Sequence, residues 1–194
     1  RKRMKAKYPH AVFIGEVWCE GLEKKLIKTT GLRNKALKRK FGISHEGIQL
    51  EYHGELDGVL DFALNKMIVE AVENGVDLLS SKKLKSKIKK HFKRIPSDYH
   101  MVTFLDNHDM NRFLLHCKGD VQIMLQAFEL LLSLGHPVVI YYGTENCTYN
   151  KSPINGSIPH SDLAVREPMD WNAIDHEFIE GFKNLITKYR TQAN

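Results

Sequence analysis

No apolar run in the sequence approaches the roughly 18 to 20 residues that a membrane-spanning helix requires. No transmembrane helix and no membrane partner are therefore expected. The sequence also lacks an initiator methionine: it opens Arg-Lys-Arg-Met, and no apolar segment follows those basic residues as a signal peptide would need. A true N-terminus further upstream is the expectation. Cysteine is scarce. Cys19, Cys117 and Cys147 are odd in number and widely spaced, and they form no Cys-x-x-Cys or Cys/His pairing, so they read as free thiols rather than zinc ligands. Free thiols favour a reducing, cytoplasmic compartment. No Gly-x-Gly-x-x-Gly follows an apolar run, which removes support for a dinucleotide crevice. Nothing resembles an EF-hand loop, so no cofactor and no metal ligand is expected from these residues.

What is present is the composition of an ordinary globular domain, 42% hydrophobic and 27% charged over 194 residues, enough for one sizeable core. The net charge of +6 concentrates in Arg1 to Lys7, Lys24 to Lys40 and Lys82 to Arg94. In the last stretch Leu84, Ile88 and Phe92 recur every four residues with lysines between them, the pattern of an amphipathic helix whose other face is in water. Aromatic residues do not interleave with the basic ones as a base-stacking platform would need, so nucleic acid is not an expected partner.

Four short apolar runs rich in β-branched or aromatic residues read as buried strands: Ala11 to Ile14, Val59 to Leu64, Met101 to Leu105 and Pro137 to Tyr142. They do not alternate strictly, which implies a sheet covered on both faces, the habit of parallel α/β sheets. Helical patterns lie between them. Asn65 to Asn74 places Ile68, Ala71 and Val72 on one face and stops at Gly75; Asp120 to Leu134 is apolar and stops at Gly135; Asp175 to Arg190 repeats Ile179, Phe182, Ile186 and Tyr189. Alternating strands and helices form either an open doubly wound sheet or a (β/α)8 barrel. Polar clusters favour the barrel: Gly15-Glu16, Asp106-Asn107-His108-Asp109 and Gly143-Thr144-Glu145 each follow a strand, and in a parallel barrel such positions line one mouth. Four strands make half a barrel. The stretch Asn146 to Asp170, proline-bearing and with a Gly-Ser pair, reads as a functional loop at that mouth.

Two carboxylates stand out. Glu16 follows apolar residues and a glycine that would enclose its carboxyl, although a glutamate satisfied by one of the many lysines fits equally well. Asp109 beside His108 and Asn107 could hydrogen-bond several hydroxyls of one ligand, and a polar turn capping the next helix would look the same.

The segments Phe13 to Trp18 (Phe-Ile-Gly-Glu-Val-Trp), Phe104 to Phe113 (Phe-Leu-Asp-Asn-His-Asp-Met-Asn-Arg-Phe), Gly135 to Glu145 (Gly-His-Pro-Val-Val-Ile-Tyr-Tyr-Gly-Thr-Glu) and Arg166 to Trp171 (Arg-Glu-Pro-Met-Asp-Trp) resemble, in order, the fifth, seventh and eighth strand motifs of the α-amylase family, glycoside hydrolase family 13, with the segment after its eighth strand. Leu56 to Leu64 fits the sixth. The resemblance implies an α/β fold that is the C-terminal half of a (β/α)8 TIM barrel, strands five to eight with their helices. Residues 1–194 would then form a partial catalytic domain whose first half is absent. It implies a glycosidase acting by retaining double displacement on α-1,4 glucosidic bonds, with Glu16 as general acid/base and Asp109 as the carboxylate that grips the sugar in the transition state. His108 would bind the same sugar, Trp18 would be an aromatic platform on the leaving-group side, and Asp162 with Arg166 would bind a neighbouring glucose. Glu145 and Trp171 resemble packing residues.

The family's nucleophile, an aspartate in a Gly-x-Arg-x-Asp motif at its fourth strand, has no counterpart here. A fragment lacking the nucleophile is therefore expected, inactive alone, with an α-glucan or malto-oligosaccharide as substrate. Its partner would be the missing N-terminal half, or a second copy by self-association. Calcium, where the family uses it, would come through that missing half. The alternatives are an α-glucan transglycosylase of the same family and a catalytically silent amylase-like binding protein.

Overall fold

The computed structural model describes residues 1–18, 44–155 and 157–190. Cys19 and the basic stretch Lys24 to Lys40 lie outside the described residues. The chain divides into two compact units, Arg1–Leu64 with Ser86–Val102 and Asn65–Lys85 with Thr103–Asn194.

In the first unit, helix α1 (Lys2–Lys7) leads into strand β1 (Ile14–Gly15), helix α2 (His45–Leu50) and strand β2 (Gly58–Leu60), and strand β3 (His100–Val102) follows later in the chain. The three strands form one parallel sheet in the order β1-β2-β3, with Ile14 opposite Gly58 and Val59 opposite Met101. A parallel sheet in sequence order is what alternating strand and helix patterns predict. Its core is Val59, Tyr99 and Met101, all buried, with Val17, Leu50, Leu56, Phe92 and Ile95 packed against them.

Asp57 fastens the entry to this sheet. Its carboxylate accepts hydrogen bonds from the Phe13 amide at 2.9 Å and from Arg1 Nε at 2.7 Å, and pairs with Lys5 Nζ at 3.0 Å. The Phe13 amide, aided by the two cations, holds this carboxyl well below the usual carboxylate range against the opposing effect of burial.

The strands are shorter than the apolar runs. Val59 to Leu64 ends as a strand at Leu60 because Asp61 accepts the Leu64 amide at 2.9 Å, the geometry that starts a helix, and helix α3 (Phe62–Glu73) follows at once. Met101 to Leu105 is likewise cut short. The Phe104 and Leu105 carbonyls accept from Asn65 Nδ2 at 3.3 and 2.6 Å. Ala11 to Ile14 is paired at Ile14 and Gly15, with Asp57 and its neighbour Gly58 both donating to the Phe13 carbonyl. Pro137 to Tyr142 pairs through a single parallel bridge, Val138 with Thr103, supported by the Thr103 amide to Pro137 O and the Val139 amide to Thr103 O, both 2.8 Å.

Helix α4 (Lys82–Phe92) buries Leu84 and Ile88 and exposes its lysines, as the spacing predicts. In the second unit, helices α5 (Phe113–His116), α6 (Val121–Ser133) and α7 (His176–Arg190) follow the same logic. Asp120 caps α6 by accepting the Gln122 and Ile123 amides, and α6 packs on α7 through Phe128 and Phe182, whose rings lie 4.3 Å apart. Phe178, which the helical spacing did not single out, is buried in the same cluster. Gly75 and Gly135, each just past a helix, take the positive φ values (65° and 68°) that such stops require.

Candidate active site

The first unit carries Glu16 and Trp18. Glu16 follows β1 and is exposed, so the described residues do not build the apolar enclosure expected around it. The backbone beside it is held by Gln49, fully buried, whose amide donates to Leu60 O at 2.6 Å and to Val17 O at 3.4 Å. One side chain thus joins the segments that leave β1 and β2. Tyr99 in turn donates to the Gln49 carbonyl at 2.9 Å. Trp18 stacks on Phe62 with ring centroids 5.4 Å apart and planes 16° from parallel, and it remains 38% exposed. It is therefore both packed and available as a platform.

The second unit carries the polar turn that follows Thr103. Asp106 is buried: one carboxylate oxygen accepts from Thr144 Oγ1 at 2.6 Å and the other from the Phe113 amide at 2.8 Å. Burial pushes its pKa up, against those two hydrogen bonds and the charge of Arg112. Asn107 is also buried, and its Oδ1 accepts the Asp109 amide at 2.9 Å. With Asp106 and Asn107 locked inward, His108 and Asp109 are presented outward, half-exposed. His108 Nε2 lies 3.2 Å from Asp109 Oδ2.

Arg112 supports this turn from beneath. It is completely buried, donates from Nη1 to Tyr142 O at 2.6 Å, and lies over the rings of Tyr141 and Tyr142 at 4.2 and 4.9 Å. The Arg112 amide donates to Asn150 Oδ1 at 2.9 Å, and Asn150 Nδ2 reaches Asn111 Oδ1 at 3.0 Å. The long loop that begins at Asn146 is thereby tied to the turn at its near end.

At its far end the loop forms a short 3-10 helix, Ser161–Val165, that brings up Asp162 and Arg166. Arg166 Nη2 lies 2.6 Å from Asp109 Oδ1 and 3.4 Å from Asp162 Oδ2, while its Nε donates to His108 O at 2.9 Å. His108, Asp109, Asp162 and Arg166 thus form one cluster. Glu145 sits in the 3-10 turn Thr144–Asn146, half-buried as a packing residue would be. Trp171, also expected to pack, is instead 71% exposed.

Sequence reasoning passed over Gln49, Arg112 and Asn150. Arg112 and Asn111 do belong to the segment singled out by resemblance, but nothing in their spacing distinguishes a buried arginine from a surface one.

The family described as the alpha amylase catalytic domain matches residues 3–191. The chain belongs to the α-amylase family. Alpha-amylase 2 of Dictyoglomus thermophilum is 30% identical over 139 residues, which cover 70% of this chain and 24% of that relative. Among solved structures, the cyclic α-maltosyl-(1→6)-maltose hydrolase of Arthrobacter globiformis, in complex with cyclic α-maltosyl-(1→6)-maltose, aligns with a TM-score of 0.56 at 24% identity, covering 75% of this chain and 31% of that one. A debranching enzyme of Nostoc punctiforme aligns with a TM-score of 0.59 at 22% identity, covering 98% and 36%. Structural neighbours of this α-amylase family are TIM-barrel enzymes, and the present chain spans under two fifths of each of these relatives. The family is one of glycoside hydrolases. Among the described residues no helix is long and apolar enough to cross a membrane.

Proposed function

We propose that this chain supplies the acid/base and the transition-state carboxylate of a retaining glycosidase acting on α-1,4-linked glucans, and that the nucleophile belongs to sequence outside these 194 residues. In this reading β1, β2, β3 and the Val138 segment are strands five to eight of the barrel. Glu16 protonates the departing glycosidic oxygen and later deprotonates the attacking water. Asp109 and His108 grip the sugar at the cleavage subsite, Trp18 stacks on the leaving-group side, and Asp162 with Arg166 meets a neighbouring glucose. Double displacement by two carboxyl groups takes no cofactor.

The observation that carries the reading is the turn in which buried Asp106 and Asn107 hold Asp109 and His108 outward. A turn built for helix capping alone would direct the Asp109 carboxylate at backbone amides. Here the helix-capping role falls to Asp106, which takes the Phe113 amide at the start of α5, and Asp109 is left free for a ligand and for Arg166. The relatives named for hydrolysis of a cyclic maltosyl-maltose and for debranching support an α-glucan or malto-oligosaccharide as the substrate class.

The test uses the enzyme expressed from the full reading frame. Glu16→Gln should lose about 10²- to 10⁴-fold in turnover on malto-oligosaccharides, the usual worth of a general acid. It should recover glycosylation on α-maltosyl fluoride, whose leaving group needs no proton. Asp109→Asn should impair both substrates alike, because its contacts strengthen in the transition state whatever the leaving group. An identical response of the two variants to the fluoride would refute the roles.

A further inference from the structure

The placement of Arg166 carries more than a contact with a neighbouring sugar. Its Nη2 donates to Asp109 Oδ1 at 2.6 Å and its Nε to the His108 carbonyl at 2.9 Å. A single planar guanidinium therefore spans the main chain before Asp109 and the carboxylate of Asp109 itself, which fixes the side-chain torsions between them. A lone exposed ion pair contributes little to stability, and Asp109 and Arg166 are 34% and 39% exposed at the side chain. The bridge is thus a poor stabilising device and a good orienting one.

Arg166 is also delivered rigidly. Val165, fully buried, offers its carbonyl to Tyr141 Oη at 3.3 Å, and the Glu167 carbonyl accepts from Tyr142 Oη at 2.7 Å, so the main chain is held on both sides of the arginine. The same two tyrosines flank the guanidinium of Arg112, whose backbone amide is tied to the loop through Asn150. An ionised carboxylate has about four acceptor sites. Arg166 takes one and His108 faces the other oxygen, which leaves room for two sugar hydroxyls.

We propose that Arg166 is the positioning residue of Asp109, holding its carboxylate in the orientation that grips the cleavage-subsite sugar. The proposal rests on the role assigned to Asp109 above. It separates from a pure subsite role through substrate length: an arginine that only binds a neighbouring glucose is irrelevant to a substrate with one sugar, whereas an arginine that orients Asp109 matters for every substrate.

The experiment compares α-glucosyl fluoride, which has one glucose, with maltopentaose in the enzyme expressed from the full reading frame. Arg166→Ala should lower kcat on α-glucosyl fluoride at least tenfold with KM little changed. Added guanidinium ion should restore part of that loss in Arg166→Ala and none in Asp109→Asn. Arg166→Lys, which keeps the charge but not the fork, should fall between. Wild-type kcat on α-glucosyl fluoride in Arg166→Ala, with a raised KM for maltopentaose alone, would overturn the proposal. So would a wild-type enzyme active on maltopentaose and inert on α-glucosyl fluoride, since a carboxylate set by Arg166 needs no neighbouring sugar. If Arg166→Ala does not fold, as judged by near-ultraviolet circular dichroism, Arg166→Lys and Arg166→Gln carry the same comparison. A wild-type enzyme without action on either substrate would instead overturn the parent reading.

Discussion

His91 is buried in the first unit between two acidic side chains, with Nε2 2.7 Å from Asp61 and Nδ1 3.6 Å from Glu46. Glu46 is itself paired with Arg94. Burial resists charging of the imidazole, but the hydrogen bond to Asp61 and the nearby Glu46 carboxylate outweigh it and raise the pKa from 6.5 to about 9. The folded state therefore binds this proton more tightly than the unfolded one, so the stabilisation is complete below pH 6.5 and is lost as pH rises through about 9. A shift of that size sets a ceiling of about 3 kcal/mol. Urea unfolding followed between pH 6 and pH 10 should show the midpoint falling across that window, and His91→Gln should flatten the fall. An unchanged slope in the variant would remove His91 as its cause. The inward position of His91 was legible in principle. It stands three residues after Ile88, on the face shared with Leu84, although the four-residue spacing gave that face to Leu84, Ile88 and Phe92 and passed over His91.

At the scale of elements, the parallel order of β1, β2 and β3 was legible from the alternation of apolar runs with helical patterns, and the strand ends were not. Phe62 to Leu64 is apolar whether it continues a strand or starts a helix, and periodicity alone cannot separate the two in so short a run. The decision rests on Asp61, whose carboxylate captures the Leu64 amide. Beyond the Thr103 bridge the chain is held by Asn65, whose amide takes the Phe104 and Leu105 carbonyls across about forty residues of sequence, a separation no local pattern reports. The ladder between β2 and β3 also depends on a missing side chain. A Cβ on Gly58 would lie 2.2 Å from the His100 carbonyl oxygen, which is backbone and cannot rotate away. Gly58→Ala should therefore cost at least about 1–3 kcal/mol, the usual range for overpacking. Thermal unfolding measures it, and a wild-type midpoint would show that the two strands can separate without loss.

For the molecule as a whole, the polar residues at the strand ends were the most legible feature, because chemistry-bearing side chains are rare within apolar runs and their order follows the family pattern. The supports beneath them were not. Tyr141 and Tyr142 meet Val165 and Glu167 across 24 and 25 residues, and the arginine between those contacts acquires its neighbour Asp109 only through the fold. Val12 just before β1 and Ile14 within it are 64% and 40% exposed, and Val139 and Ile140 are 47% and 37% exposed, apolar surface that strand edges ordinarily hide. The central claim, retaining cleavage of an α-glucan by Glu16 and Asp109 with a nucleophile from outside this chain, meets its most direct test in product stereochemistry. Proton NMR of the first sugar released from maltopentaose by the full-frame enzyme, recorded before mutarotation, should show the α-anomer, as a double displacement through a covalent glycosyl intermediate requires. Initial release of the β-anomer would mean a single displacement by water and would contradict the account.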